Sequence, residues 1–159
     1  MNKQETYRYL TEQGVEFEIT EHIAVFNMTE VAQIELPYPE VNGKNLFVRD
    51  KKHNYYVITT RGDRRVDLKA FRKQNGIQGL SFATPEELYD ILGLIPGAVT
   101  PLGLLNDSAR HVTLYFDESF LDGMIGVHPN DNTATIWLQA RDLIRVIEAH
   151  GNTVKIVPI

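Results

Sequence analysis

The chain contains no cysteine among its 159 residues. That excludes disulfides, thiolate nucleophiles and cysteine metal sites together. No apolar run approaches the roughly 20 residues needed to cross a bilayer. The opening stretch MNKQETYRYL lacks the apolar segment of a secretory signal. These absences point to a cytoplasmic protein with no membrane partner. The dinucleotide fingerprint GxGxxG, the phosphate loop GxxxxGK[ST], HExxH and GxSxG are all missing. The five histidines are His22, His53, His111, His128 and His150, and no two stand at the i, i+4 spacing of a helical zinc site. Neither a metal nor a cofactor is expected. Serine occurs only at Ser81, Ser108 and Ser119, never in a nucleophile-elbow context, which argues against covalent catalysis.

Composition bounds the rest. Hydrophobic residues make up 43% and charged residues 23%, ordinary for a globular protein, and the length suits one domain spanning residues 1–159. The net charge of −5 is unevenly spread. Between Lys44 and Lys73 ten basic residues face three acidic ones, a local +7, which leaves −12 on the remainder. Such a segment can attract phosphates even on an acidic protein, although solvated helix and strand faces would read the same way.

The pattern of residues predicts interspersed helices and strands. Residues 2–13 read as a helix with Asn2 as N-cap and Gly14 as its stop. Val15, Phe17 and Ile19 alternate with polar residues, as a half-buried strand would. Thr29 to Glu35 reads as a short helix. Leu46–Arg49 and Tyr55–Thr60 flank the polar turn DKKHN and predict a hairpin. Asp67 caps a helix to Gln74. Thr84, Pro85 and Glu87 combine an N1 proline with a capping box for a helix ending at Gly93. His111–Phe116 is a strand. Met124–His128 and Thr133–Leu138 form a second hairpin around PNDN, and a helix over Arg141–His150 precedes a last strand over Thr153–Val157. Short polar turns between neighbouring strands favour a mixed, mostly antiparallel α+β domain over a doubly wound parallel sheet.

Three segments stand out as candidates for chemistry. In LIPGAVTPLG (Leu94–Gly103) two prolines and two glycines make a rigid loop, which reads equally as a structural turn or a binding loop. In KNLFVRD, Lys44 follows Gly43 and opens an apolar strand. Its ammonium could hold a carbonyl or phosphate oxygen, with Asn45 beside it, or could be a solvated strand-end charge. In GVHPND, His128 ends an apolar strand ahead of Pro129. It could be a proton carrier, a donor or a steric wall, or could simply cap the strand. Asp131, Asn132 and Thr133 read as turn hydrogen-bonders.

Occurring together and in this order, KNLFVRD, PGAVTPLGLLND and GVHPNDNTATIWL resemble the YbaK-like aminoacyl-tRNA deacylases. The likeness covers essentially the whole chain. It is nearest to the free-standing branch related to the editing domain of bacterial prolyl-tRNA synthetase, the PrdX or ProXp-ala branch. The resemblance implies an α+β domain with a mixed sheet or partly closed barrel surrounded by helices. It implies hydrolysis of the ester joining a wrong amino acid to the 3′ end of tRNA, Ala-tRNA(Pro) in the alanine-specific branch. By this resemblance Lys44, Asn45 and Gly97 are catalytic. Ala98, Val99, Thr100 and Pro101 of the family's GxxxP loop (Gly97 to Pro101), with Gly103 just beyond it and His128, contact the substrate. Thr100 departs from the serine of many relatives. Arg49, Lys51, Lys52, Arg61, Arg64 and Arg65 are candidate tRNA contacts, the acceptor end of tRNA(Pro) is the expected partner, and prolyl-tRNA synthetase is a further one. The alternatives are a non-catalytic member that binds tRNA or a synthetase, and a deacylase for Cys-tRNA(Pro) or another small mischarged amino acid such as serine.

Overall fold

The structure is a computed structural model that describes residues 1–159. Helix α1 (Lys3–Glu12) starts where the sequence places it, because the Asn2 side chain accepts from the Glu5 N–H while the Glu5 carboxylate accepts from the Asn2 N–H. The same reciprocal cap, between Thr84 and Glu87, starts α4 (Pro85–Leu92), which Gly93 ends in the left-handed conformation at φ +67°. Helix α3 (Leu68–Gln74) is capped by Asp67, and α5 (Ala140–His150) runs up to Gly151.

Eight strands form two sheets. The larger has the order β4 (Ser81–Phe82), β2 (Gly43–Arg49), β3 (Tyr55–Arg61), β5 (Val112–Asp117), β8 (Val154–Val157). The smaller has the order β1 (Phe17–Glu21), β7 (Ala134–Gln139), β6 (Met124–Val127). Both expected hairpins form, β2 with β3 and β6 with β7. Four strand pairings are antiparallel and two, β3–β5 and β5–β8, are parallel. The α+β class with a mixed, mostly antiparallel sheet therefore holds, as two sheets and not as a closed barrel. A single parallel bridge, Asn42 to Gly126, ties the start of β2 to β6.

The main core lies between the sheets and α1, α4 and α5, and includes Phe47, Val57, Leu114, Ile125, Ile136 and Leu143. A smaller core of Val48, Ile58, Phe71, Ile77 and Tyr115 fills the opposite face of the large sheet under α3. Two local expectations change. The helix expected over Thr29–Glu35 is a single turn, α2 (Met28–Val31), capped by Asn27 and without a buried residue. It lacks a core face to extend along. In the predicted first strand, Val15 is buried but precedes β1, and Ile19 is 47% exposed. β1 is an edge strand whose outer end runs past the core.

Candidate active site

A cavity of about 260 Å³ opens where β2 begins. It brings together Lys44, Asn45, Gly97, Val99 and His128. These are separated by up to 84 positions in sequence, so the three segments singled out above do converge.

The strand ladder explains the opening. The Asp50 N–H donates to the Asn54 carbonyl, so even-numbered residues of β2 point their main chain toward β3. The Phe47 carbonyl accepts from Ala83 on the other side, so odd-numbered residues face outward. β4 pairs only with Val48 and Arg49. The main-chain N–H and C=O of Asn45 therefore lie on an unpaired stretch of edge, at the cavity. The Asn45 side chain is fixed by Thr59 Oγ1, which donates to its Oδ1 at 2.6 Å, leaving the Nδ2 amide free to donate. Lys44 forms no ion pair, and its one partner is the Arg64 carbonyl at a long 3.3 Å. An ammonium has three donors, so most of its capacity is open. No carboxylate lines the cavity.

His128 forms part of the wall. Its Nδ1 lies 2.8 Å from the Ala134 carbonyl, which can only accept, so Nδ1 carries the proton and Nε2 is the remaining ring nitrogen. Burial pushes the imidazole below its usual range, and nearby His22 adds to this. The Ala134 bond and Asp131 oppose the shift without reversing it. The ring is thus neutral at pH 7, with an acceptor lone pair on Nε2. The Thr100 hydroxyl donates to the His128 carbonyl at 2.7 Å and accepts from the Leu102 N–H, pinning the proline-rich loop to the end of β6. A serine hydroxyl could make the same two bonds.

Four loop residues do not line the cavity. Ala98 and Thr100 are buried behind it, and Pro101 and Gly103 belong to a 3₁₀ helix, Pro101–Asn106, that packs into the core. A Cβ on Gly103 would meet Leu94, not a ligand. Among the loop N–H groups, those of Ala98, Leu102 and Gly103 are bonded within the loop, whereas those of Gly97, Val99 and Thr100 have no acceptor in the chain, and of these three only Gly97 and Val99 line the cavity. Gly97 has φ +89°, and a Cβ there would lie 2.8 Å from the Phe26 Cα.

Sequence reading missed the roof. Val25, Phe26, Met28, Val31, Ile34 and Leu36 supply the apolar lining, with His22 at its edge. The segment is tied across by His22 N–H to the Thr133 carbonyl, and by Asn132, whose side chain donates to the Val25 carbonyl at 2.9 Å. The Thr133 bonds to Asp131 are the expected turn contacts. His22 Nδ1 donates to its neighbour's carbonyl, and its ring meets that of His128 edge-on at 6.0 Å. The signal in the sequence is a run of apolar residues with no helical period.

The basic residues separate into two groups. Arg49, Lys51 and Lys52 sit at the far end of β2, where Arg49 pairs with Glu87 at 3.2 Å. Near the cavity, Arg61 is held by Ser119 and the Glu40 carbonyl and lies over the Phe120 ring. Arg64 is paired with buried Asp117 at 3.0 Å. These are structural ties. Arg65 is exposed and makes no hydrogen bond or ion pair. Charge reversal at Arg65 is therefore the clean probe of phosphate attraction: Arg65→Glu should raise KM for tRNA severalfold at low salt and reduce the slope of its salt dependence by about one phosphate contact. Unchanged salt dependence would remove Arg65 from the tRNA path.

The sequence model of the aminoacyl-tRNA editing domain matches residues 23–146. The chain belongs to the aminoacyl-tRNA editing domain family. As a member it is a deacylase of aminoacyl-tRNA. It is 35% identical over 159 residues to the prolyl-tRNA editing protein ProX of Acetoanaerobium sticklandii, covering 99% of this chain and 97% of the relative. It is 31% identical to prolyl-tRNA synthetase associated domain-containing protein 1 of Danio rerio, covering 95% and 84%. Among solved structures, a proposed trans-editing enzyme for prolyl tRNA synthetase superposes with a TM-score of 0.70 at 22% identity, over 100% of this chain and 98% of the other, which shows the shared fold. No helix of the structure is long and apolar enough to cross a membrane.

Proposed function

We propose that this editing-domain protein acts in trans on mischarged tRNA(Pro), removing alanine. The observation that carries the reading is the composition of the cavity: one lysine ammonium without an ion pair, the unbonded side-chain NH2 groups of Asn27, Asn42 and Asn45, an apolar roof, and no carboxylate. Such a chamber suits a small apolar side chain whose ester linkage lies among polar groups at the rim. Its family and its similarity to a prolyl-tRNA editing protein support tRNA(Pro) as the carrier, with prolyl-tRNA synthetase as a related partner.

The chemistry asks little of the protein, because an aminoacyl ester is already activated. Water attacks the carbonyl carbon, the new C–O bond forms, and the oxygen becomes an oxyanion. The free N–H groups of Gly97 and Val99, the Lys44 ammonium and the Asn45 side-chain amide are donors available to stabilise that charge. The bond to the ribose oxygen then breaks, and a proton from the water passes to that oxygen. No covalent enzyme intermediate is required.

Selectivity must admit alanine and refuse proline. Attraction alone distinguishes added methylenes by only about 1–3 kcal/mol, so a rigid wall is the more effective device. His128 is that wall, its ring clamped by Ala134 and its backbone by Thr100. Purified protein should deacylate Ala-tRNA(Pro) well ahead of Cys-, Ser- and Pro-tRNA(Pro). His128→Ala should admit Pro-tRNA(Pro) and cut the alanine-over-proline ratio by tenfold or more. A ratio that does not move would take His128 out of selection. A preference for cysteine or serine would retain the deacylase and change its substrate.

A further inference from the structure

A second cavity, of about 240 Å³, adjoins the first. The two share Asn45, Leu46, Gly97 and Val99 as a common rim. Its outer walls include Phe82 of β4 and Pro96 of the rigid loop. Phe82 is 61% exposed, unusual for a large aromatic side chain, and none of the ring–ring contacts in the chain involves it. Its backbone is nonetheless well placed. Phe82 pairs with Val48, and the next residue, Ala83, donates to the Phe47 carbonyl. The ring is thus held at the cavity without being used by the fold.

We infer that this cavity takes the terminal adenine base of the aminoacyl-tRNA, stacked on Phe82. The inference rests on the deacylase reading above and adds a nucleobase subsite to it. The ester and the base are attached to the same ribose, so a base must lie within one sugar of the scissile bond. The second cavity meets that condition because it begins where the first ends. The ribose then falls on the shared rim. There the outward-facing main-chain N–H and C=O of Asn45 match a sugar hydroxyl, which is both donor and acceptor. A flat aromatic face opposite a proline suits the π-face of a base, the commonest way proteins hold single-stranded nucleotides.

The test uses the intact protein and three probes. Adenosine, added to isotope-labelled protein, should shift the amide resonances of Phe82, Ala83 and Gly97 saturably, whereas ribose 5-phosphate should leave Phe82 and Ala83 unmoved. In Phe82→Ala the adenosine shifts should weaken tenfold or more, and KM for Ala-tRNA(Pro) should rise by a similar factor with kcat little changed. Phe82→Trp, which keeps a stacking face, should restore both. Adenosine shifts confined to other residues, or a Phe82→Ala protein with the KM of the parent, would overturn the subsite while leaving the deacylase reading intact. A parent protein that hydrolyses no aminoacyl-tRNA would instead sink that reading, and the nucleoside titration would still decide what the cavity binds.

Discussion

Replacing Lys44 with alanine is expected to lower kcat/KM for Ala-tRNA(Pro) by about 10²–10³, the scale on which loss of a single preorganised donor acts. The expectation follows from what surrounds the ammonium. Lys44 has no carboxylate partner, and the Arg64 carbonyl at 3.3 Å occupies at most one of its donors. With no carboxylate in the lining, the positive charge is not cancelled locally. Removing it should do little to stability, since no ion pair is broken and the side chain is only half-buried. The division of the loss between kinetic constants identifies the atom that Lys44 holds. A fall in kcat means the ammonium meets charge that develops at the carbonyl oxygen in the transition state. A rise in KM with kcat preserved means it holds a phosphate equally in both states. Lys44→Arg sharpens the distinction, because the guanidinium keeps the charge but not the compact geometry. Full activity in Lys44→Ala would remove the residue from catalysis and leave it as a strand-end charge.

The features legible in the sequence were those fixed by neighbours a few positions away. The caps of α1 and α4 depend on Asn2 with Glu5 and on Thr84 with Glu87, each three residues apart, and both form as read. The two hairpins are equally local. What escaped depends on distant contacts. The roof of the cavity is positioned by Asn132 reaching Val25, 107 residues away, and carries no period that would mark it. Arg64 looked free in a basic segment, yet it neutralises Asp117, 53 residues on, which Thr60 also contacts. The loop shows a third kind of limit. Gly97 and Gly103 sit in one motif, but Pro101 opens a 3₁₀ helix that carries Gly103 into the core, so adjacency in the motif is not adjacency in space. The segments that converge were legible as a set. Which of their atoms face the ligand was not.

Gly97→Ala should reduce activity by about 10²-fold, and its comparison with Gly14→Ala isolates the cause. Both glycines have positive φ, +89° and +74°. Alanine in that region pays a backbone penalty of roughly 1–2 kcal/mol at either site. The surroundings differ. A Cβ at residue 14 would meet nothing within 4 Å, whereas at residue 97 it would lie 2.8 Å from the Phe26 Cα and 3.3 Å from the Phe26 carbonyl oxygen. Backbone cannot rotate aside as a side-chain tip can, so the roof or the loop must move. Either shift displaces the free N–H groups of Gly97 and Val99 from the place where an oxyanion would form. A displacement near 1 Å is enough to cost about 10²-fold in rate. Gly14→Ala should therefore lose stability in a urea titration and keep its kcat. Gly97→Ala should lose at least as much stability and most of its kcat. If instead the two variants lose stability equally and both retain kcat, the close approach of the loop to Phe26 serves the fold alone, and the oxyanion donors must be sought along the open edge at Asn45.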